Sequence, residues 1–256
     1  MDALALMWGR IPYFSLVLIR TGALFFSLPM FGARGVPVPV KVGMAVAFSW
    51  ALLPILPLPD WTPPQEVFEW GLASVREAAI GLAIGWMVHL VLAAVPLAGH
   101  VLGYQMGFGL ANLMDPVGQQ QLSVTAHLLN LMALWLFFVL DGHHLLVRVL
   151  FESFRWSPPG GLVHEALMQA LGAETGRTLF WNTLVLAGPL LAILLLLQVA
   201  LGIMARVVPQ MNVFIVAVPV QNAIGLLGLG AGLGLIGPWM VKELGFLREL
   251  YGLLGG

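Results

Sequence analysis

Few side chains in this sequence could do chemistry, and their spacing argues against most of it. Six histidines stand at 89, 100, 127, 143, 144 and 164, and no His-Glu-x-x-His or other metal spacing joins them. Asp141-Gly142-His143-His144 is the densest set of ligand types. Adjacent histidines point to different sides of a helix, so this run reads as a helix-end cap or interfacial anchor rather than a metal site. Asp115 and Asp141 could act as a carboxylate pair or a proton relay only if the fold brought them together. Cysteine is absent, which excludes disulfides, thiolate catalysis and Cys-ligated metals. Ser, Lys and Asp form no nucleophile set. The run from Gly225 to Gly234 neither follows a strand nor contains Lys, so it is no phosphate loop. The sequence therefore predicts no catalytic residue, no metal and no cofactor.

The most unusual segment is Gly99 to Gln121, GHVLGYQMGFGLANLMDPVGQQQ. An apolar run here breaks into glycines, two methionines and an Asp-Pro step, then three glutamines. Gly103, Gly107 and Gly109 each cost up to about 1 kcal/mol of helix propensity, and Asp115 would cost about 2.5–3.5 kcal/mol at a bilayer centre. Irregular backbone at membrane depth is tolerated only where protein buries it or a water-filled cavity borders it. Apolar loops containing methionine can re-pack around varied surfaces, so a movable plug inside a pore fits both facts. A re-entrant loop with Asp115 as N-cap and Pro116 at N1 fits them as well. A second segment, Arg206-Val-Val-Pro209-Gln210-Met211-Asn212, sits between two uncharged runs and reads as the tip of a helical hairpin. There Pro209 forces the turn, and Gln210 and Asn212 can cap backbone groups.

The elements that must carry these segments follow from composition. Of 256 residues, 60% are hydrophobic and 9% charged, whereas soluble domains average about 45–50% and about 25%. The surplus apolar surface must face lipid or partner subunits. A net charge of −1 gives no argument for nucleic acid. The start of the chain lacks the positive region of a cleaved signal peptide, so the first apolar stretch reads as retained. No Asp, Glu, Lys or Arg occurs at 78–114, 116–140, 178–205 or 207–241, and each gap can hold a helix of about 20 residues. With Ile11 to Phe31, which carries Arg20, and Val42 to Pro59, the prediction is roughly six long apolar helices.

Prolines at 37, 39, 54, 57, 59, 63 and 64 should end or kink helices. Ser157-Pro-Pro-Gly-Gly161 is the clearest loop and divides the chain into 1–157 and 158–256. Leu162 to Gly176 reads as a short amphipathic helix, and Lys242 to Tyr251 as a helix end in water or headgroups. The glycines at 225, 228, 230, 232, 234 and 237 predict close approach of helix backbones, with a loosely packed lipid-facing helix as the alternative. Positive residues do not sort to one side of a simple topology, either because the spans are miscounted or, the favoured reading, because some apolar helices are buried against other subunits.

Gly103-Tyr-Gln-Met-Gly-Phe-Gly-Leu-Ala-Asn-Leu-Met-Asp-Pro116, Asp141-Gly-His143 and Pro209-Gln-Met-Asn-Val-Phe214 followed by Pro219 resemble the FliR family of flagellar export-gate proteins and its virulence type III secretion counterparts. The likeness covers nearly the whole chain and includes an early Arg20…Pro29…Arg34…Pro37 pattern. Flagellar members usually carry Asn where Asp141 stands. Leu186-Ala-Gly-Pro-Leu-Leu191, the turn near Gln210 and Gly237-Pro-Trp-Met240 look like the two-helix partner FliQ. The resemblance implies an all-α integral membrane protein, with a FliP-like part at 1–157 and a FliQ-like hairpin at 158–256. It implies assembly with FliP-like and FliQ-like subunits into a ring around the export pore of the bacterial inner membrane. Much of that ring would stand toward the periplasm, with FlhB and FlhA at its cytoplasmic mouth, unfolded export substrates in the pore and membrane lipid around it. On this likeness Gly103, Gln105, Met106, Gly107, Phe108, Gly109, Leu110, Leu113, Met114, Asp115 and Pro116 belong to the pore plug (about 103–121). Arg206, Pro209, Gln210, Met211 and Asn212 form a cytoplasmic tip that meets partners.

The reading that results is a structural, non-enzymatic subunit of the flagellar export gate. The equivalent subunit of a virulence injectisome is the nearest alternative. A small-solute transporter with broken helices finds no inverted repeat here, and an intramembrane enzyme would have to use Asp115 and Asp141.

Overall fold

Without water to satisfy the backbone, an apolar chain in lipid has to close its own hydrogen bonds, and a helix does this within one segment. The computed structural model describes residues 2–31, 36–56, 66–108, 123–160, 175–208, 210 and 212–254. It is all-helical, with no strand among the described residues. The helices are α1 (Asp2–Ser27), α2 (Val38–Leu52), α3 (Val67–Gln105), α4 (Val124–Val139), α5 (Gly142–Trp156), α6 (Thr175–Val207) and α7 (Val213–Leu254), with a 3₁₀ turn at Pro29–Phe31.

Three of these are long and apolar enough to cross a membrane among the described residues, Val67–Gln105, Leu179–Val207 and Ile215–Arg248, and α4 with α5 makes a fourth if that pair, bent by 65°, is taken as one span. The charge gaps predicted roughly six, and the count falls for a physical reason. Among the described residues the first two candidates give shorter apolar helices, Ile11–Ser27 and Val38–Leu52. The gap at 116–140 yields only the 16 residues of α4, about 24 Å at 1.5 Å per residue. The spans also differ in surroundings. The apolar window of α3 is 67% buried by the chain's own atoms, against 22% for each of the other two. Phe180, Leu196, Ile215 and Leu227 are among the large side chains left exposed on α6 and α7, the surface expected to meet lipid or other chains.

Prolines act as expected where they are described. Pro37 is the N-cap of α2, with Pro39 in its first turn. Pro54 follows the end of that helix. Pro57, Pro59, Pro63 and Pro64 lie outside the described residues, as does most of Leu162 to Gly176 with its expected amphipathic helix. The Lys242 to Tyr251 stretch is helical, within α7.

The chain forms two compact units, and both draw on sequence from either side of the Ser157–Gly161 loop. The first comprises Met1–Leu90, Asp141–Thr175 and Leu244–Gly256. Within it, Phe25 packs on Phe31 and Phe48, and Phe14 on Trp50, with ring centroids 5.2, 5.3 and 6.0 Å apart. Arg20 of α1 and Glu77 of α3 are both fully buried. Arg20 donates Nε to Glu77 Oε2 at 2.6 Å and Nη2 to Oε1 at 3.0 Å. Its remaining N–H groups reach the Ser153 carbonyl, Ser153 Oγ and the Ser157 carbonyl at 2.8, 3.2 and 2.9 Å. All five donors of the guanidinium thus have acceptors, and its carbon lies 4.3 Å from the Phe154 ring centroid. Glu77 Oε1 also accepts the Gly160 amide at 2.9 Å, so one ion pair ties α1, α3, α5 and the loop after α5. Gly81 and Gly85 allow it. A Cβ on Gly81 would strike the Arg20 carbonyl oxygen, and one on Gly85 would strike Ser27 Oγ.

The second unit comprises Val91–Leu140 and Gly176–Glu243. Its core gathers Ala98, Leu102 and Met106 of the α3 end with Ala187, Leu190 and Leu194 of α6. Gly99 gives α4 its seat, because a Cβ there would sit 2.7 Å from the Ala126 Cα. Thr125 Oγ1 donates to the Gly99 carbonyl at 2.8 Å across the same contact.

Candidate functional site

The singled-out segment begins inside α3, since Gly103 and Gln105 are helical, and then leaves the helix through a fully bonded C-cap. The Met106 amide donates to the Leu102 carbonyl at 2.9 Å, Gly107 to Tyr104 at 3.1 Å and Phe108 to Gly103 at 3.1 Å. The last two are the 5→2 and 6→1 bonds of a Schellman motif. Gly107 takes φ +90°, a conformation that L side chains rarely adopt. Its place is the C′ position that motif demands. Phe108, the residue after it, packs back onto the core that holds Leu102, which completes the hydrophobic contact of the motif.

Met106 is completely buried in that core. Its thioether fills the notch left by Gly225 of α7, where a Cβ would lie 2.5–2.6 Å from the Met106 Cγ, Cε and Sδ atoms. Gly228 likewise makes room for the Leu190 side chain. This corrects the expectation for the glycine run. Those two glycines admit side chains rather than helix backbones, while a Cβ on Gly230, Gly232, Gly234 or Gly237 would meet nothing within 4 Å among the described residues. A mainly apolar cavity of about 440 Å³ borders the open part of the run, lined among others by Leu102, Leu190, Gly232, Ile236 and Trp239. Gln105 Oε1 accepts from Gln198 Nε2 at 3.0 Å on the exposed side of the helix end.

Both described flanks of 109–122 meet at one point. Phe108 bonds the Gly103 carbonyl, and Ser123 Oγ and Thr125 Oγ1, themselves hydrogen-bonded to each other, occupy the space where a Gly103 Cβ would project. Gly109, Leu110, Leu113, Met114, Asp115 and Pro116 lie outside the described residues.

At the second candidate, α6 and α7 follow each other across a short connection at 208–212 and touch where Gly228 meets Leu190. Arg206 is exposed in the last turn of α6, and Gln210 and Asn212 are exposed in the turn. The Asn212 carbonyl accepts the Ile215 amide at 3.0 Å. Pro209 and Met211 lie outside the described residues.

The helix-end cap expected at Asp141 is not formed by its side chain. Asp141 occupies the N-cap position of α5 but adopts φ 57°, ψ 27°, and its carboxylate bonds no helix amide. A capping side chain needs extended backbone to turn onto the N2 or N3 amide. The left-handed backbone sends the carboxylate to His144 instead, with Oδ1 3.0 Å from Nδ1.

The sequence reading also passed over Glu77. Two cues stood in the chain: Arg20 inside an apolar run, which demands a partner, and the Gly81-x-x-x-Gly85 spacing that lets a neighbouring helix come close enough to supply one.

The family described as bacterial export proteins, family 1, matches residues 11–246. The flagellar biosynthetic protein FliR of Escherichia coli (strain K12) is 34% identical over 237 residues, 93% of this chain and 89% of that protein. FliR of Pectobacterium carotovorum subsp. carotovorum is 34% identical over 223 residues (86% and 84%), and FliR of Bacillus subtilis (strain 168) is 33% identical over 225 (85% of each). A match of this extent, on a chain whose long apolar helices suit a membrane, places the protein in this family of bacterial export proteins, the FliR family of flagellar export apparatus components.

Proposed function

We propose that this chain is a pore-forming and pore-plugging structural subunit of the flagellar export gate, built with FliP-like and FliQ-like subunits in the bacterial inner membrane. On this reading 1–157 is the FliP-like part and 158–256 the FliQ-like hairpin. Substrates pass unfolded, FlhB and FlhA meet the cytoplasmic tip around Arg206 to Asn212, and much of the assembly stands on the periplasmic side. The chain contributes structure and a seal, and no chemical step is assigned to it.

One observation supports the plug above the rest. Phe108 and Ser123 are both fixed on Gly103 at the end of a buried helix. The two described flanks of 109–122 therefore share one support at the end of α3. A plug requires an anchored base of this kind. Met106 belongs to that base, because it is fully buried against Gly225.

The test is Gly107→Val. A β-branched residue at φ +90° is strained by more than the about 1 kcal/mol typical of a non-glycine residue in the left-handed region. It should therefore disturb the anchor. The expected result is ion leakage through the assembled gate or loss of flagellar export in cells, with the protein still inserted in the membrane. Normal sealing and normal export in Gly107→Val, together with normal function after deletion of 109–115, would remove the plug assignment.

A further inference from the structure

We propose that Asp141, His143 and His144 form a binding site for one divalent transition-metal ion of the Zn²⁺ class. Asp141 Oδ1 lies 3.0 Å from His144 Nδ1 and 4.0 Å from His143 Nε2, and one donor atom from each of the three residues falls within 4.8 Å of the others. Two ligand atoms bound to a common ion at about 2.0–2.2 Å stand about 3.0–3.5 Å apart. Small side-chain rotations therefore close the set around an ion. The expectation that neighbouring histidines diverge does not hold at this turn. Their ring centroids are 4.2 Å apart at 36°, both at the first turn of α5 beside the same carboxylate.

The donor set selects the metal class. Two imidazoles and a single carboxylate suit Zn²⁺, Ni²⁺ or Cu²⁺, whereas Mg²⁺ and Ca²⁺ favour shells of oxygen. The Asp141 carboxylate is uncommitted to the helix, because it caps no amide. The site is open to water, with side-chain exposure of 71% for Asp141, 41% for His143 and 73% for His144. Three protein ligands leave a position that water can fill. The inference does not rest on the export reading and stands or falls separately from it.

The experiment uses the full chain, purified in detergent without a histidine tag and titrated with Zn²⁺ by calorimetry. The expected result is one ion per chain, with affinity reduced about tenfold or more in Asp141→Asn, since even loss of an outer-shell partner costs about 10–100-fold. His144→Gln should weaken binding similarly, and it changes an exposed side chain without touching the αL residue of the turn. His127→Gln, on α4, should bind as the parent does, and Mg²⁺ should give no saturable signal. The proposal is overturned if the parent chain takes up no Zn²⁺. It is equally overturned if Asp141→Asn and His144→Gln bind it unchanged, or if His127→Gln loses it.

Discussion

Arg20 in the first unit and Met106 in the second are both wholly buried, yet they fasten helices by opposite means. Arg20 brings a charge into an apolar interior and is tolerated because every N–H has an acceptor and Glu77 balances it. Met106 brings volume into a gap shaped for it by Gly225. A buried ion pair depends on having both members, since removing one leaves an uncompensated charge. A methionine in a glycine notch depends on shape alone, and Met adapts to irregular gaps better than other apolar residues. The first junction should therefore fail abruptly and the second gradually.

The largest effect is expected from Glu77→Ala. It strands Arg20 and frees the Gly160 amide, and breaking a buried pair costs about 3–5 kcal/mol. Thermal unfolding of the purified chain, or its steady-state amount in membranes, should fall sharply. The paired change Arg20→Met with Glu77→Leu should recover most of the loss, because an apolar pair of similar volume is often neutral or better. If Glu77→Ala unfolds at the parent temperature, the ion pair does not hold the first unit together.

Gly225→Val should act more mildly. Its side chain takes the space of the Met106 thioether, and overpacking a core costs about 1–3 kcal/mol. Met106→Ala in the same chain should relieve the crowding, so the two changes should couple by about 0.5–3 kcal/mol in a double-mutant cycle. Strict additivity would show that methionine and glycine do not share the contact described here.

The contrast also explains what the sequence could reveal. Composition and charge gaps were enough for an all-helical membrane chain, because apolar excess has so few structural outlets. They misjudged lengths because they treat a charge as the end of a span, whereas Glu77 continues α3 and is paid for by Arg20 57 positions away. Pairing at such separation leaves no local trace. Gly107 was legible as a break in helix propensity, but its place as the C′ residue depends on where α3 stops, which Phe108 decides by folding back. Asp141 misled for a related reason. Its residue type favours capping, and only the backbone angle at 141 shows that its carboxylate points to the histidines.

The smallest effect, and the one that sharpens the comparison most, concerns glycines that look identical in sequence. The Cβ position of Gly225 is taken by Met106, whereas a Cβ on Gly230, five residues along the same helix, would meet nothing within 4 Å among the described residues. Gly in a helix interior costs about 0.8–1.0 kcal/mol relative to Ala. Gly230→Ala should therefore raise the stability of the purified chain by about that amount, measured as unfolding in detergent, while Gly225→Val lowers it. Opposite signs within one helix would show that the notch at 225 is specific to its methionine. A loss of stability in Gly230→Ala would mean that the open face is already filled by the chain itself, and the distinction between a packed and an unpacked stretch of this glycine run would not survive.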